Sequence, residues 1–325
     1  MKKVLILGAN GDIGKYLVDY LSCQVEEPFE IIASGRSNAD FSKYDNVEYI
    51  RVDITNQKDF DRLPSDIYAV IDLAGMMPAR MEGFHPEQYI KTNIEGTLNV
   101  LEFCKNTGVD RIIYTQSFGD IKDYGDTMVE LKPDLNPKYK YDTDHSVYVV
   151  SKNTAVELIK CYHAIYKLKS FIFRLPNIYF WSKNDTFYVD GKIKKIAWRY
   201  IIEQAEKGND IEVWGDYSRV KDMIYVKDLC QMIYLSCLVD RDYGHYNVGT
   251  GIGTSLLEQI KGIVNVFGKD KKSNLIFMPD KPNAPQYIMN IENATADLGY
   301  LPKYNYLDML NDMKKEKEKL ENNEK

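Results

Sequence analysis

The sequence predicts an α/β fold in which a doubly wound parallel sheet is joined to a smaller, interleaved C-terminal region. Short apolar runs rich in β-branched residues recur along the first half of the chain, at 3–7, 29–33, 47–52, 67–73, 110–115 and 170–175. Helical patterns lie between them, most clearly at 86–106 and 144–167. Near-continuous apolar strands joined by helices indicate a parallel sheet that is covered on both faces. A glycine-rich turn after the first run is typical of sheets that bind ligands at their strand ends.

The composition narrows the class of protein before any motif is considered. The 325 residues carry a formal net charge of −6, which argues against a nucleic-acid partner because a phosphate backbone attracts a basic face. The five cysteines form no CxxC pair, which predicts reduced thiols in the cytoplasm and neither a disulfide framework nor a metal site. The longest apolar stretch, residues 232–239, is too short to span a membrane. We therefore expect a soluble, cytoplasmic protein that does not enter a membrane.

The first strand leads into the motif "GANGDIG", with glycines at positions 8, 11 and 14. In such a turn the first glycine allows a sharp change of direction, the second lets the backbone approach a pyrophosphate, and the third allows close helix packing. The N–H groups of the following helix then face the phosphates. An ordinary glycine turn is the alternative, but its position after the first strand of an alternating α/β chain favours a dinucleotide site.

The second strand ends in "ASGRS" and lacks the acid that usually follows it. An Asp or Glu about 20 residues after the glycines commonly binds the ribose hydroxyls of NAD. Gly35 holds that position, and Arg36 offers a planar fork suited to a 2′-phosphate, with Ser37 beside it. We therefore predict a preference for NADP, with NAD as the other possibility. The alternatives are an arginine that points into water and a late acid at Asp40.

The next three strands also end in residues suited to a dinucleotide. Asp53 follows the third strand, where it can bind an adenine amino group, and the small residues Ala74 and Gly75 follow the fourth, where a cofactor must pass closely. The fifth strand ends at Ser117. Taken singly, these residues could be a helix cap, a turn and a loop hydroxyl. Their occurrence at consecutive strand ends favours a cofactor.

A tyrosine and a lysine four residues apart share one face of a helix, where the cation can lower the phenol pKa and make the tyrosine an acid/base. This spacing occurs four times, at Tyr148/Lys152, Tyr179/Lys183, Tyr188/Lys192 and Tyr217/Lys221. Only Tyr148 follows the fifth strand and opens a long amphipathic helix. We expect Tyr148 and Lys152 to be functional and the other three to be solvated surface pairs.

With these motifs, the chain resembles the extended short-chain dehydrogenase/reductase family, of the NAD(P)-dependent nucleotide-sugar epimerase/dehydratase type. The resemblance runs from Lys3 to about Tyr304 and rests on "GANGDIG", "TNIEGTLNVLEFCK", "IIYTQS", "YVVSK", "FRLPNIY", "VWGDYSRVKDMIYVKDL" and "YNVGTGIGTSLLE". It implies a Rossmann-like domain in which Tyr148 is the acid/base, Ser117 bonds the reacting oxygen and Lys152 holds the nicotinamide ribose. It also implies a homodimer paired through the helices at 86–106 and 144–167.

The motifs and the resemblance together predict two sets of contacts. The cofactor is expected to contact the glycine turn, the strand ends and the catalytic helix, through Gly8, Asn10, Gly11, Asp12, Ile13, Gly14, Arg36, Ser37, Asp53, Ile54, Leu73, Ala74, Gly75, Asn93, Tyr148, Lys152 and Pro176. The substrate is expected to be a small molecule, most simply a nucleotide sugar, in contact with Met77, Ser117, Asn177 and Lys221.

The sequence departs from the family pattern at four places. A phenylalanine and a glycine follow Ser117 where the family's dehydratases carry an Asp-Glu pair, so elimination is not expected. The Gly-Pro of the family's NxYGP motif is absent after Asn177, which alters the substrate loop. Lys221 replaces an arginine that clamps the diphosphate in the family, and Arg219 is either an alternative clamp or an exposed structural arginine. The segment 118–147 is longer than usual.

The predicted organisation places a dinucleotide-binding domain at 1–176, with returning segments near 222–248. A substrate-binding region comprises 177–221 and 249–312, and 313–325 is a charged tail that is expected to be a solvated helix end.

Three functions are compatible with these residues. We expect an NAD(P)-dependent nucleotide-sugar epimerase, which oxidises and re-reduces one sugar carbon. An NADPH-dependent keto-sugar reductase, or another carbonyl reductase, is the alternative and would use the same residues. A non-catalytic dinucleotide-binding protein is the third possibility, and the intact Ser117, Tyr148 and Lys152 argue against it.

Overall fold

A seven-stranded parallel sheet forms the centre of the fold. The computed structural model describes residues 1–78, 83–268 and 273–322. In chain order, the strands of these residues are β1 (Lys2–Leu7), β2 (Phe29–Gly35), β3 (Val47–Arg51), β4 (Ala69–Asp72), β5 (Arg111–Ser117), β6 (Glu130–Leu131), β7 (Lys169–Leu175), β8 (Thr186–Val189), β9 (Lys192–Lys195), β10 (Ile211–Trp214), β11 (Val220–Asp222), β12 (Tyr243–Asn247), β13 (Gly253–Ser255), β14 (Leu275–Met278) and β15 (Ile288–Met289). The central sheet has the order β12-β7-β5-β4-β1-β2-β3, and its pairings are parallel. The predicted fold class is confirmed.

Helices connect the strands and cover both faces of the sheet. In chain order they are α1 (Asp12–Ser22), α2 (Pro86–Tyr89), α3 (Thr97–Thr107), α4 (Ser146–Tyr166), α5 (Ala197–Lys207), α6 (Val226–Leu238), α7 (Leu256–Phe267), α8 (Glu292–Leu298) and α9 (Tyr306–Asn322). A π-helical turn, Ile90–Gly96, joins α2 to α3, so the pattern predicted at 86–106 is an interrupted helix. The pattern predicted at 144–167 is α4. Within the described part of the chain, no helix combines the length and apolarity needed to cross a membrane.

Alternate residues of the central strands face two separate cores. On β1, Val4 and Ile6 belong to the core that contains residues of α1 and α6, among them Leu17, Leu21, Leu229 and Ile233. Leu5 and Leu7 belong to the core on the other face, with residues of α3 and α4 that include Leu101 and Ile159. Because side chains alternate along a strand, burial on both faces requires the near-continuous apolar runs found in the sequence.

The strand order reverses between β1 and β4, which is where an open parallel sheet forms its ligand crevice. The turn after β1 and the loop after β4 meet at this point. A Cβ atom added to Gly8 would lie 2.9 Å from the backbone nitrogen of Ala74. The first glycine is therefore required by the close approach of two strand ends.

The remaining strands form small sheets outside the central one. β10 pairs with β14, β11 with β13, β6 with β15, and β8 with β9 as a hairpin. Between these small sheets in the sequence, the chain returns to the central sheet, because α6 packs on α1 and β12 pairs with β7. The domain boundary at residue 176 stays a prediction, and residues 269–272 of the predicted substrate region lie outside the described residues.

The first part of the charged tail is docked on the protein through α9. Met313 is fully buried, and Lys317 Nζ donates to Glu206 Oε1 at 2.6 Å. The expectation of a solvated helix end is wrong for this part of the tail, because apolar residues spaced three or four positions apart give even a highly charged helix one buried face. Residues 323–325 lie outside the described residues.

Candidate active site

The glycine turn after β1 has a tight geometry. Gly8 has a φ of +82°, which favours glycine, and a Cβ atom on Gly14 would lie 2.2 Å from the carbonyl oxygen of Gly8. Gly11 is the N-cap residue of α1, and no side chain caps this helix end. The first turn of α1, which begins with Asp12 and Ile13, is therefore arranged like the helix ends that bind phosphate.

Asn10 fills the space beside the end of β2. A Cβ atom on Gly35 would lie 2.2 Å from Asn10 Oδ1, so any side chain at position 35 would displace the asparagine. Asn10 Nδ2 donates to Ser37 Oγ at 2.7 Å, and Arg51 Nε donates to the carbonyl oxygen of Arg36 at 2.8 Å. The side chain of Arg36 is exposed. The position of the expected acid is thus taken by Asn10, and two arginines meet beside it.

The acids nearest this corner hold their own loops. Asp40 Oδ1 accepts a hydrogen bond from the backbone nitrogen of Ser42 at 2.9 Å. Asp53 Oδ1 accepts from the backbone nitrogen and the hydroxyl of Thr55 at 3.0 and 2.8 Å. Asp53 therefore holds the turn after β3 through its Oδ1, and its contact with an adenine amino group stays a prediction. The next residue, Ile54, is 4% exposed and packs against Gly96 of the π turn.

Asn93, on the π turn, fixes the loop that follows β4. Its Oδ1 accepts from the backbone nitrogen of Met76 at 2.8 Å, and its Nδ2 donates to the carbonyl oxygen of Met76 at 3.1 Å and to Ser151 Oγ at 3.0 Å. A Cβ atom on Gly75 would lie 3.2 Å from Asn93 Oδ1 and 3.8 Å from Lys152 Nζ. Asn93 is 1% exposed and its amide is fully engaged, so it ties the loop to α4.

Ser117 and Tyr148 lie together at the carboxyl edge of the sheet. Ser117 ends β5 and its Oγ accepts from the backbone nitrogen of Gly119 at 3.2 Å. A side chain at Gly119 would collide with Val149, because an added Cβ atom would lie 2.6 Å from Val149 Cγ2. This glycine lets α4 approach the end of β5 closely. Burial raises the pKa of Tyr148, and a hydrogen bond with Ser117 opposes that rise.

Lys152, one turn after Tyr148, is directed at a different aromatic ring. It is 6% exposed, and its Nζ lies 4.1 Å from the ring centroid of Tyr114. Burial lowers the pKa of Lys152 to about 8, while the nearby Asp72 acts to raise it. In the protein alone, burial is the main cause that raises the Tyr148 pKa, and the Lys152 ammonium stands over Tyr114. That Lys152 lowers the Tyr148 pKa stays a prediction for the protein with its cofactor bound.

An aromatic wall, formed by Tyr89, Val147 and Tyr188 with Met76, surrounds Tyr148. The rings of Tyr89 and Tyr148 are 5.7 Å apart between centroids. Tyr188 belongs to β8, and its carbonyl oxygen lies 2.9 Å from His145 Nε2. The β8–β9 hairpin, in the segment that has lost the Gly-Pro motif, thus reaches Tyr148. The sequence reasoning missed Tyr188 because it treated its YxxxK pair as surface. Met77, beside the wall, is 42% exposed.

The other YxxxK pairs differ from the expectation in part. Tyr217 is 47% exposed, as a surface residue should be, but Tyr179 is 5% exposed and belongs to the core beside α6. The prediction of a solvated Tyr179 is therefore wrong. The parallel bridge between Tyr179 and Tyr225 explains it, because it holds Tyr179 against a residue that is fully buried.

The predicted substrate residues lie on two segments. Pro176 is buried after β7, and Asn177 beside it is exposed. Lys221 lies on β11 next to Tyr287, whose ring is 5.0 Å from that of Phe118, the residue after Ser117. Burial lowers the pKa of Lys221, and no acid among the described residues forms an ion pair with it.

Arg219 is already engaged. Its Nε donates to the carbonyl oxygen of Ala284 at 2.7 Å, and its Nη2 lies 3.4 Å from Asp126 Oδ1. Lys221 is therefore the better candidate for an anionic ligand, and Arg219 joins two loops. Across residues 1–78, 83–268 and 273–322, no group of three or more His, Cys, Asp or Glu side chains is placed to hold a metal ion.

The acid nearest to Ser117 along the chain is sequestered in a buried network. Asp120 is fully buried, and its Oδ2 accepts from Arg174 Nη2 at 3.0 Å and from Gln116 Nε2 at 3.1 Å. Gln116 Oε1 lies 2.6 Å from His245 Nε2. This network holds both sides of Ser117 in place. It keeps Asp120 in the interior, where its Oδ1 has no hydrogen-bond partner.

Comparison with known proteins agrees with this architecture. The chain is 28% identical over 239 residues to UDP-glucuronate 4-epimerase of Thermodesulfobacterium geofontis, covering 72% of this chain and 68% of the relative. It is 23% identical to dTDP-4-dehydro-6-deoxy-D-allose reductase of a Streptomyces species, covering 93% and 92%. The crystal structure of UDP-glucuronic acid 4-epimerase from Bacillus cereus in complex with NAD superposes with a TM-score of 0.75 at 23% identity, covering 97% and 99%.

A family model gives the most specific match. The model of the NAD dependent epimerase/dehydratase family matches residues 4–249, a span that contains the glycine turn, Ser117, Tyr148 and Lys152. The resemblance inferred from the motifs is confirmed. On this match the chain belongs to the NAD dependent epimerase/dehydratase family, whose members are enzymes that use a nicotinamide dinucleotide.

Proposed function

We propose that this protein is a nucleotide-sugar epimerase, which oxidises and re-reduces one sugar carbon with Tyr148 as the acid/base. The observation that carries this proposal is the placement of Ser117 and Tyr148 side by side while Asp120 is held in the interior by Arg174. Hydride chemistry needs one hydroxyl donor and one acid/base, whereas elimination needs a further acid at the substrate. The relative from Thermodesulfobacterium geofontis, a UDP-glucuronate 4-epimerase, supports the same class of substrate.

The chain's own residues would perform the proton steps. The Tyr148 phenolate removes the proton of the sugar hydroxyl as the carbon loses its hydride, and Ser117 donates a hydrogen bond to the same oxygen. The resulting ketone regains the hydride on its opposite face, and Tyr148 returns the proton to the oxygen. The bound nicotinamide dinucleotide supplies the hydride acceptor and donor. The aromatic wall packs around Tyr148, where it would restrict the access of water to the reacting oxygen.

The strand ends fit such a cofactor. The pyrophosphate would lie on the turn from Gly8 to Gly14, where added Cβ atoms would collide with the backbone and where α1 lacks a side-chain cap. The loop of Leu73, Ala74 and Gly75 passes this turn closely. Lys152 Nζ lies beside Gly75, where it would hold the nicotinamide ribose.

A carbonyl reductase is the second candidate, supported by the similarity to the Streptomyces reductase. Both enzymes would use Ser117, Tyr148 and Lys152 in the same way. An epimerase keeps its cofactor through the cycle, whereas a reductase must release the oxidised form. We therefore expect the purified protein to carry a nicotinamide dinucleotide that exchanges slowly with added cofactor. A protein that releases its cofactor at each turnover would favour the reductase.

We propose that the cofactor is NADP, because Asn10 rather than an acid occupies the ribose corner and Arg36 and Arg51 meet there. The Arg36→Ala variant should bind NADP about ten- to a hundredfold more weakly and NAD almost unchanged, since a charge-assisted bidentate contact contributes roughly 1.5–3 kcal/mol. Titration of both cofactors into wild type and variant measures this. Equal dissociation constants for NAD and NADP in the wild type would contradict the proposal.

Lys221 is proposed to bind the diphosphate of the substrate, since it is a largely buried cation for which the described residues supply no acid. Lys221→Met should raise the KM for a nucleotide sugar about tenfold or more while the cofactor dissociation constant stays unchanged. Steady-state kinetics and cofactor titration separate the two quantities. The matched control is Lys261→Met, an exposed lysine on α7, which should leave KM unchanged. An unchanged KM in Lys221→Met would move the diphosphate elsewhere.

We propose a homodimer that pairs through the helices at 86–106 and 144–167. These segments carry apolar side chains that are 39–65% exposed, namely Ile90, Leu98 and Ile165. They also contact one another, because Lys105 Nζ lies 5.5 Å from the ring centroid of Tyr166. Light scattering at micromolar concentration should give twice the 37.6 kDa mass of the chain, and Leu98→Arg should reduce it. A stable monomer in the wild type would refute the dimer.

A further inference from the structure

Asp72 is a buried carboxylate at the carboxyl end of β4, directly beside Tyr114 on β5. The register of the two parallel strands pairs Asp72 with Tyr114, so both side chains lie on the same face of the sheet. Both residues are fully buried. Asp72 Oδ1 accepts a hydrogen bond from the backbone nitrogen of Ala74 at 3.0 Å, while its Oδ2 has no hydrogen-bond partner.

The ammonium of Lys152 lies against this pair. Its Nζ is 4.1 Å from the ring centroid of Tyr114 and 3.8 Å from the position that a Cβ atom on Gly75 would occupy. Gly75 lies three residues after Asp72, in the loop that follows β4. Lys152 is therefore between the catalytic face of α4 and the end of β4, with the Tyr114 ring beside it. The two charged groups make no direct ion pair.

The groups that face Asp72 come from each neighbouring element. Lys152 of α4 is the cation, Tyr114 of β5 and Cys104 of α3 are neutral, and burial raises the pKa of both of the latter well above the physiological range. Burial raises the Asp72 pKa to about 6, and the positive charge of Lys152 opposes this rise. A lone buried charge is costly, whereas two opposite charges stabilise each other across a low-dielectric interior.

We propose that Asp72 is a positioning residue whose carboxylate keeps the ammonium of Lys152 charged and in place beside the nicotinamide ribose. The cation–π contact with Tyr114 fixes the direction of the ammonium, and the buried carboxylate of Asp72, which is paired with Tyr114 in the strand register, supplies the compensating charge. This inference rests on the proposed roles of Lys152 and Tyr148. Asp72 itself is fully buried, so it would act through Lys152.

The first test needs neither substrate nor cofactor. We would measure the free energy of unfolding of Asp72→Asn in the wild-type background and in the Lys152→Met background at pH 7. Asn keeps an oxygen that can accept from Ala74. The unfolding equilibrium constant should rise up to about tenfold more in the wild-type background, because only there does the substitution leave a buried lysine that must stand unpaired or give up its proton. This difference between backgrounds should vanish at pH 9.5, where Lys152, with a pKa of about 8, is neutral.

The controls keep this test decisive. Asp222→Asn removes another buried carboxylate, whose partners are the backbone or side chains of Thr250, Gly251 and Met289, and should act equally in both backgrounds. Asp72→Ser is measured in parallel in case Asp72→Asn fails to fold, since its hydroxyl oxygen can also accept from Ala74. Equal effects of the Asp72 substitutions in both backgrounds at pH 7 would overturn the proposal.

The second test is the pH dependence of turnover. Without Asp72, Lys152 should lose its proton at lower pH, so the ratio of wild-type to Asp72→Asn turnover should be at least tenfold larger at pH 8 than at pH 6. A ratio that is constant with pH would indicate a purely structural role and overturn the proposal. Tyr148→Phe is assayed alongside: an active Tyr148→Phe would refute the proposed function, whereas an inactive one with a constant Asp72→Asn ratio would refute only this inference.

Discussion

Tyr148→Phe is expected to lower turnover by about a hundredfold to ten-thousandfold, the usual contribution of a positioned acid/base. The substitution removes the phenolic oxygen and keeps the ring, which packs against Tyr89 with a centroid distance of 5.7 Å. The free energy of unfolding and the cofactor dissociation constant should therefore change little. Steady-state kinetics, cofactor titration and denaturant unfolding measure the three quantities.

The matched control is Tyr166→Phe, which makes the same change near the end of the same helix at a residue that is 49% exposed. Its activity should equal that of the wild type. Turnover of Tyr148→Phe within a few-fold of the wild type would remove Tyr148 from the mechanism. A loss of activity together with a loss of folding would show that the hydroxyl stabilises the protein instead.

Lys152→Met is expected to lower turnover and to weaken cofactor binding about tenfold or more, because this side chain is assigned two tasks, lowering the Tyr148 pKa and holding the nicotinamide ribose. Lys152 is 6% exposed, and its ammonium lies between Tyr114 and Gly75. Methionine fills most of the same volume without the charge. Kinetics at saturating cofactor and a direct cofactor titration separate the effects.

Lys160→Met serves as the control for this variant, since Lys160 lies on the same helix and forms an exposed ion pair with Glu157. Surface pairs of this kind contribute little, so neither turnover nor cofactor affinity should change. If only one of the two quantities changed in Lys152→Met, the assignment of both tasks to this lysine would be wrong.

Much of the fold followed from local sequence. The apolar runs predicted the strands because burial on both faces selects consecutive apolar residues, as at 4–7 in β1 and 31–33 in β2. The glycine turn was predictable because backbone crowding at Gly8 and Gly14 depends only on neighbouring elements. The position of Tyr148 at the start of a long helix after β5 selected it from four similar pairs.

Other features depend on contacts between distant segments, which no local pattern carries. Asn10 occupies the space at Gly35, so packing alone would disfavour an acid at position 35, apart from any effect on the cofactor. The β8–β9 hairpin brings Tyr188 into contact with the cluster around Tyr148, although the two tyrosines are 40 residues apart in the sequence. Lys152 turns to the ring of Tyr114 because that ring and Asp72 are brought together by strand register, which sequence spacing does not reveal.

Epimerase activity is tested most directly by incubating the purified protein, without added cofactor, with a panel of nucleotide sugars that begins with UDP-glucose and UDP-glucuronic acid. The products are resolved by chromatography while the absorbance of reduced nicotinamide is followed. An epimerase should convert one of these sugars to a mixture of two epimers with no net change in reduced cofactor. Conversion that requires added NADPH and consumes it in a one-to-one ratio would contradict the epimerase assignment.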